Sequence, residues 1–334
     1  MNALPDILAE DLGTVAPSVL RAAYHRLSVS YRSSQGSGVI ASDVDALAYA
    51  AGRLPATLAV ATRVLADLAE ALPGLSPRSV LDLGAGPGTA GWAAAATFGS
   101  LQCVTFVERS REMIGLGERL ARRSDRRVLR EARWQQGDAR RPATAASVVI
   151  ASYVLGELPE KDRRGAVECW WAAAQECLVV VEPGTPQGWQ RVLEARHTAE
   201  ALGAHVAGPC PVAPGCALSE SNWCHFATRV ARTRLHRQIK SGGLGFEDEK
   251  YSYVTLTRTP VTASPRVAGV PAVHGGHVRV RICGGEGVAE RVVSKRDGEA
   301  HKWARHARWG DRVPPFVDAQ RTLQADDRPP GAPA

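Results

Sequence analysis

The chain has 334 residues, 45% hydrophobic and 22% charged, an ordinary composition for a folded protein with room for one large domain or two modest ones. Its net charge of +7 makes an anionic partner plausible, while seven unevenly spread cysteines exclude a small disulfide-stapled scaffold. The first twenty residues hold Asp6, Glu10 and Asp11 but no Lys or Arg, and no apolar run approaches the roughly 20 residues of a membrane span, so a secretory signal, a presequence and a membrane partner are not expected.

Residues 1–75 read as helical, with apolar residues recurring at three and four in "DVDALAYAAGRLPATLAVATRVLADLAEAL" and Pro55 set to kink or restart a helix. A loop is expected over 31–39. Residues 76–205 alternate strands and helices. The strands fall at 79–84, 102–108, 147–154 and 177–183, and the helices at 88–98, 110–123, 161–175 and 186–202. Continuous apolar strands separated by helix-length segments predict a Rossmann-like, doubly wound α/β sheet covered on both faces. Residues 206–245 form a cysteine-rich insertion with a basic helix. In 246–312, strands at 250–258 and 277–283 are expected to complete the same sheet as antiparallel edges, with 260–276 a loop. Residues 313–334 read as a tail, disordered from about residue 325.

The stretch "VLDLGAGPGTAGW" ends a strand at Asp82, turns through Gly84, Gly86 and Gly88 and enters a helix. Glycines there let the backbone approach a ligand closely. Glu108 closes the next strand, where a carboxylate can accept both ribose hydroxyls, and Asp138 follows the third, within reach of an adenine amino group. This set resembles class I S-adenosylmethionine-dependent methyltransferases rather than NAD enzymes. An empty, degenerate pocket is the alternative. After the fourth strand the chain reads "ASYVLGELPE", where Tyr153 and Glu157 face the pocket but neither is a required base, so catalysis stays open and no catalytic residue is assigned.

Cys210, Cys216 and Cys224 are spaced C-x5-C-x7-C. Zinc sites favour tighter paired ligands, whereas a cubane cluster spreads its thiolate attachment points, so these gaps favour an iron–sulfur cluster. His205 and His225 keep a mixed Cys/His zinc site open, and unliganded thiols are the third possibility. Cys103, Cys169 and Cys177 read as small core residues. Cys283 ends a strand at a loop mouth that can face residues 208–224.

The run "CPVAPGCAL…WCHFATRVARTRLHRQIK…GFEDEKYSYVTLTR", with "YAAGRLPAT" at 49–57, "SYVLGEL" at 152–158, "VEPGTPQG" at 181–188 and "WGD" at 309–311, resembles the mitochondrial small-ribosomal-subunit methyltransferase-like assembly factor family and its bacterial relatives. The likeness covers nearly the whole chain. It implies a class I methyltransferase-like domain with an inserted loop holding a 4Fe-4S cluster, and cluster ligands at Cys210, Cys216, Cys224 and Cys283. It further implies a role in small-subunit biogenesis, with 16S-type rRNA as partner; the reducing cytoplasm is the expected compartment from the cysteine usage and the absence of targeting signals. DNA is not an expected partner, and a monomer is expected. Val212 and Ala217 stand where the family often has His and Pro, and neither is a ligand.

On a helix from residue 226 to 240, Arg229, Arg232, His236 and Lys240 would share one side, with Ala227, Ala231, Leu235 and Ile239 on the other. Residues 277–312 add nine Lys/Arg against five Asp/Glu. A cluster tying both segments together would order an RNA-binding surface, against the alternative of a solvated charged face. Trp303 and Trp309 either stack on bases or lie in the core. Three roles follow: an rRNA methyltransferase, a non-catalytic assembly factor that docks on rRNA, or a redox or iron sensor.

Overall fold

The computed structural model describes residues 4–32, 40–210, 216, 218, 223–240, 243–261 and 264–318. Residues 31 and 32 of the expected loop at 31–39 are helical, and the rest of it, most of the 208–224 loop and the tail beyond residue 318 lie outside the described residues. Three helices open the chain: α1 (Leu4–Leu12), α2 (Pro17–Arg32) and α3 (Asp43–Ala71). Ser42 caps α3 by accepting the Asp45 N–H at 3.2 Å, and Asp43 and Asp45 sit against the positive end of its dipole. The helix is a single element across Pro55.

The core follows in alternation: β1 (Ser79–Leu83), α4 (Thr89–Thr97), β2 (Cys103–Glu108), α5 (Arg111–Arg122), α6 (Arg127–Arg130), β3 (Arg133–Gln136), β4 (Ala146–Ser152), α7 (Glu160–Ala173), β5 (Ala174–Pro183) and α8 (Pro186–Glu200). Then come β6 (His205–Gly208), β7 (Phe226–Ala231), α9 (Arg234–Lys240) and β8 (Phe246–Thr257). The main sheet runs β3-β2-β1-β4-β5-β8-β6, with β7 also paired to β8. β1 to β5 are parallel and β8 is antiparallel to β5, the arrangement of a class I methyltransferase-like domain. β1, β4 and β5 are apolar and buried because helices cover both faces. α4, apolar all round, is packed between α3 and the sheet.

Three expectations are corrected. The helix over 226–240 is instead strand β7 followed by the short α9. Phe226 and Val230 are buried while Ala227, Arg229 and Ala231 are exposed, a period of two that outweighs the three-and-four spacing of the cations. The strand at 277–283 does not extend the main sheet. It is β11 (His277–Gly284) of a second, four-stranded sheet with β9 (Arg266–Val267), β10 (Ala272–Val273) and β12 (Gly287–Ser294). β9 and β10 lie within the segment read as a loop.

That small sheet, α10 (Glu299–His306) and α11 (Pro315–Asp318) enclose their own core of Val267, Val278, Val280, Ile282, Val293, Ala300 and Ala304. It is fastened to α3 by a buried ion pair, Arg266 Nη1 to Asp67 Oδ2 at 3.3 Å. Tyr253 of β8 donates to the same oxygen at 2.9 Å. Removing one partner of such a pair costs about 3–5 kcal/mol.

Candidate functional site

Two places gather the residues singled out in the sequence. At the first, β1 carries buried Asp82 one residue before its end, and its Oδ2 accepts the Gly91 N–H at 2.9 Å. Burial pushes its carboxyl up to about 7, against the pull of that N–H, with Glu108 adding to the rise. Gly84, Gly86 and Gly88 all take positive φ (63°, 54° and 89°), which side chains resist. At Gly88 a Cβ would also press on the rings of Phe106 and Trp134, which stack at 4.2 Å.

Glu108 folds back onto this turn. Its Oε2 accepts the Gly86 N–H at 2.8 Å, and its Oε1 accepts those of Arg109 and Ser110 at 2.8 and 2.9 Å. A carboxylate offers about four acceptor positions, so three are occupied by the protein and about one is left for a ribose. Asp138 is half-exposed and held by Arg140, whose Nη2 lies 2.6 Å from Oδ2, and Arg140 bridges on to Asp162 at 2.7 Å. Arg140 holds the Asp138 carboxyl below the usual range.

Tyr153 begins the segment after β4 with φ 62°, the one positive φ among non-glycine residues described. Its hydroxyl is buried without a hydrogen-bond partner among the described residues. α3 packs on α4 and α5 at this end of the sheet, bringing Tyr49 within electrostatic reach of Glu108 and Glu157, and Arg53 within reach of Tyr153. Arg53 pairs with Glu249 at 3.4 Å. Glu182, fully buried at the end of β5, meets Arg191 at 3.2 Å and accepts the Gly156 N–H at 3.3 Å. Burial raises its carboxyl to about 7.

The second place is a cavity between α8, β8 and the small sheet, lined by Cys210, Cys216, Cys224 and Cys283 together. The Sγ atoms of Cys210 and Cys283, 73 residues apart in sequence, lie 3.8 Å apart. Burial pushes the Cys216 and Cys224 thiols up, and the bond to Cys210 followed by burial does the same to Cys283. Cys177 is buried in β5, as read, while Cys103 and Cys169 are half-buried. Among the described residues no three His, Cys, Asp or Glu side chains converge to hold one ion. His225 is sandwiched between Trp223 and Trp309, at 5.4 and 4.2 Å, and its Nδ1 lies 3.3 Å from the Trp223 carbonyl; His205 is exposed.

Of the cations predicted to share one side, Arg229, Arg232 and Lys240 are ion-paired, while Arg234 and Arg237 of α9 are exposed with no ion pair among the described residues. Arg229 makes two bonds to Asp248, at 2.8 and 2.9 Å, while Arg232 and Lys240 converge on Glu247 at 2.6 and 2.8 Å. His236 is buried 3.5 Å from Glu247, and burial followed by Lys240 lowers its pKa. The paired groups clamp β7, α9 and β8 rather than facing solvent together. A cation-rich edge went unread: residues 109–141 hold eleven arginines against five acids, around β3 at the sheet's end. Arg119, Arg126 and Arg133 make no ion pair among the described residues. Arg196 and Arg266, both buried in the cavity wall, were also missed, because neither sits in a motif.

Strand order, the glycine turn and the acid at the end of β2 define a class I methyltransferase-like protein. Residues 43–314 match the family described as mitochondrial small ribosomal subunit Rsm22, and the chain belongs to that family. It is 27% identical over 322 residues to the human mitochondrial ribosome assembly protein METTL17, covering 90% of this chain and 67% of that one. Two solved structures are similar to parts of the chain. They are magnesium protoporphyrin IX methyltransferase from Synechocystis PCC 6803 with bound SAM (15% identity, TM-score 0.42, 73% and 97% of the two chains) and precorrin-6y C5,15-methyltransferase from Geobacter metallireducens (14%, 0.39, 59% and 88%). No helix among the described residues is long and apolar enough to cross a membrane.

Proposed function

We propose that this protein is a small-subunit ribosome assembly factor that docks on rRNA, with a 4Fe-4S cluster held by Cys210, Cys216, Cys224 and Cys283, and with S-adenosylmethionine as a bound ligand rather than a methyl donor. The observation that carries the structural half is the gathering of all four predicted thiols in one cavity. A cubane attaches its thiolates to separate irons, so its ligands need not close on one point as they must for zinc. His225, engaged by two tryptophans, is poorly placed as a zinc ligand. When bound, the cluster supplies a crosslink between the β6–β7 connection and β11, pinning the small sheet to the main one.

The non-catalytic half is supported by α3 packing at the pocket's end of the sheet and by the prior engagement of Glu108 and Asp138. Family membership and the human assembly protein support the ribosomal partner. For RNA contact, the arginine-rich β3 edge is better suited than the predicted set of Arg229, Arg232, His236 and Lys240, since a cation already paired gains less from phosphate. One observation favours methyl transfer as a second reading: the strained backbone and unpartnered hydroxyl of Tyr153 stand where an acceptor base would enter.

Incubating the iron-loaded chain with immature small subunits and methyl-labelled S-adenosylmethionine separates the two. Co-sedimentation without label is expected, and labelled rRNA would establish the enzyme. Arg126→Glu with Arg133→Glu is expected to weaken binding to small-subunit rRNA and shrink its salt slope by about 2. Arg229→Glu is expected to leave both unchanged. Equal losses from either edge would return the interface to 229–240.

A further inference from the structure

The cavity that gathers the thiols also holds two buried guanidinium groups, those of Arg196 on α8 (2% exposed) and Arg266 on β9 (5% exposed). Arg266 lies directly opposite Cys283 in the β9–β11 pairing, so both side chains stand on one face of the small sheet. Its Nη1 is fully used, donating to Asp67 Oδ2 at 3.3 Å and to the Gly310 carbonyl at 3.0 Å. Its Nε–H is different: it is buried and has no acceptor among the described residues. A buried guanidinium N–H without a partner is costly, and a native structure that keeps one generally has an acceptor in mind. Arg196 bonds Glu200 at 3.1 and 3.2 Å and also reaches the sulfur of Cys210.

We propose that Arg266 and Arg196 are the outer partners of the group that the four thiols hold, Arg266 donating its Nε–H to a sulfur of that group and Arg196 bonding it through Cys210. The proposal rests on the metal-centre reading given above. Four thiolates outweigh the positive charge of a cubane core, so the loaded site carries net negative charge inside the protein. Two fixed cations at its wall offset that charge, and a hydrogen bond to sulfur draws electron density from the metal–thiolate bonds. Asp67 and Glu200 hold the cations from behind. The arginines are positioning residues, and their removal acts on retention of the metal rather than on the four bonds themselves.

The test uses the full-length chain, purified metal-free and loaded anaerobically with ferrous iron and sulfide. Arg266→Lys keeps a cation for Asp67 but removes the Nε–H, Arg196→Met removes the second cation, and Arg196→Lys restores its charge. Melting temperatures of the metal-free proteins report folding. Iron and acid-labile sulfide per chain, the visible charge-transfer bands, and the rate of iron release to a chelator report the site.

Folded Arg266→Lys and Arg196→Met are expected to lose iron roughly 10–100-fold faster than wild type, with displaced visible bands, and Arg196→Lys to recover much of the loss. Wild-type bands and release rates in the folded variants would overturn the inference while leaving the centre intact. A wild-type chain that takes up no iron would overturn the centre and the inference together. Should Arg266→Lys fail to fold, Arg196→Met decides, because its partner Glu200 is part-exposed and can be solvated.

Discussion

At the glycine turn, Glu108 is met by three backbone N–H groups and Asp138 by Arg140, whereas four thiols and Arg266 line one cavity, and the Arg266 Nε–H has no acceptor among the described residues. Both places carry residues that a ligand would need. In the first the carboxylates are answered and the neutral Tyr153 hydroxyl is left without a partner among the described residues; in the second the group left so is a charged donor, the Arg266 Nε–H, and an unsatisfied buried charged group costs more than a neutral one. The difference teaches where a ligand is structural. The pocket keeps the shape of a nucleotide site while answering most of its own polar groups; on the reading proposed above, the charged donor in the cavity wall is answered by the bound group.

The comparison breaks most visibly at Cys283. Cys283→Ser is expected to abolish stable iron loading and, with it, the stabilisation that a tightly bound group lends the folded state, about 3–4 kcal/mol at 100 to 1,000 times the dissociation constant. Melting the loaded wild type and the loaded variant side by side checks it. A variant that melts at the wild-type temperature, metal retained, would mean the small sheet is not pinned through this thiol.

A smaller effect belongs to the pocket. Asp82 and Glu182 have folded-state carboxyls raised to about 7, so between their unfolded values near 4 and about 7 the folded chain holds protons that the unfolded chain has released. Their contribution to stability is therefore fully present below pH 4 and is lost as pH rises through about 7. Asp82→Asn keeps an acceptor for the Gly91 N–H and cannot ionise. It is expected to flatten the decline between pH 5 and 8 and to gain on the order of 1–3 kcal/mol at pH 8, read from thermal melts across that range. An unchanged slope would show that Asp82 is already ionised when folded, and that the pocket is wetter than its burial suggests.

The parallel half was legible because each strand there is a continuous apolar run with a helix-length spacer, and the glycine turn sits where a strand meets a helix. The four thiols were legible from their spacing together with a strand end at Cys283. Residues 226–240 were not, because "FATRVAR" supports a two-residue period and a three-to-four period at once, and only pairing with β8 chooses between them. The small sheet escaped for a similar reason: β9 and β10 are two residues each, too short for any periodicity, and exist because β11 offers them an edge. The partners of a charge are the least local property of all. Glu247 answers Arg232 and Lys240, and Asp67 answers Arg266 across 199 residues, distances along the chain at which charge counting says nothing.

The smallest expected effect sharpens the comparison from the pocket's side. If Asp138 is the adenine partner, its engagement by Arg140 is a cost that every bound nucleotide meets, because the bidentate contact must loosen first. A pair exposed to this degree is worth roughly 0.2–1 kcal/mol, so Arg140→Gln should tighten S-adenosylmethionine by a factor of up to about five and no more. Asp162, Arg140's second partner, lies away from the turn, and Asp162→Asn isolates the loss of that bridge alone. Isothermal titration of wild type and the two variants measures both terms. A gain in Arg140→Gln but not in Asp162→Asn would mark a nucleotide pocket held partly shut by its own arginine. Equal affinity in all three would take Asp138 out of the pocket and leave Glu108, with its single open acceptor position, as the last acid able to hold the ligand.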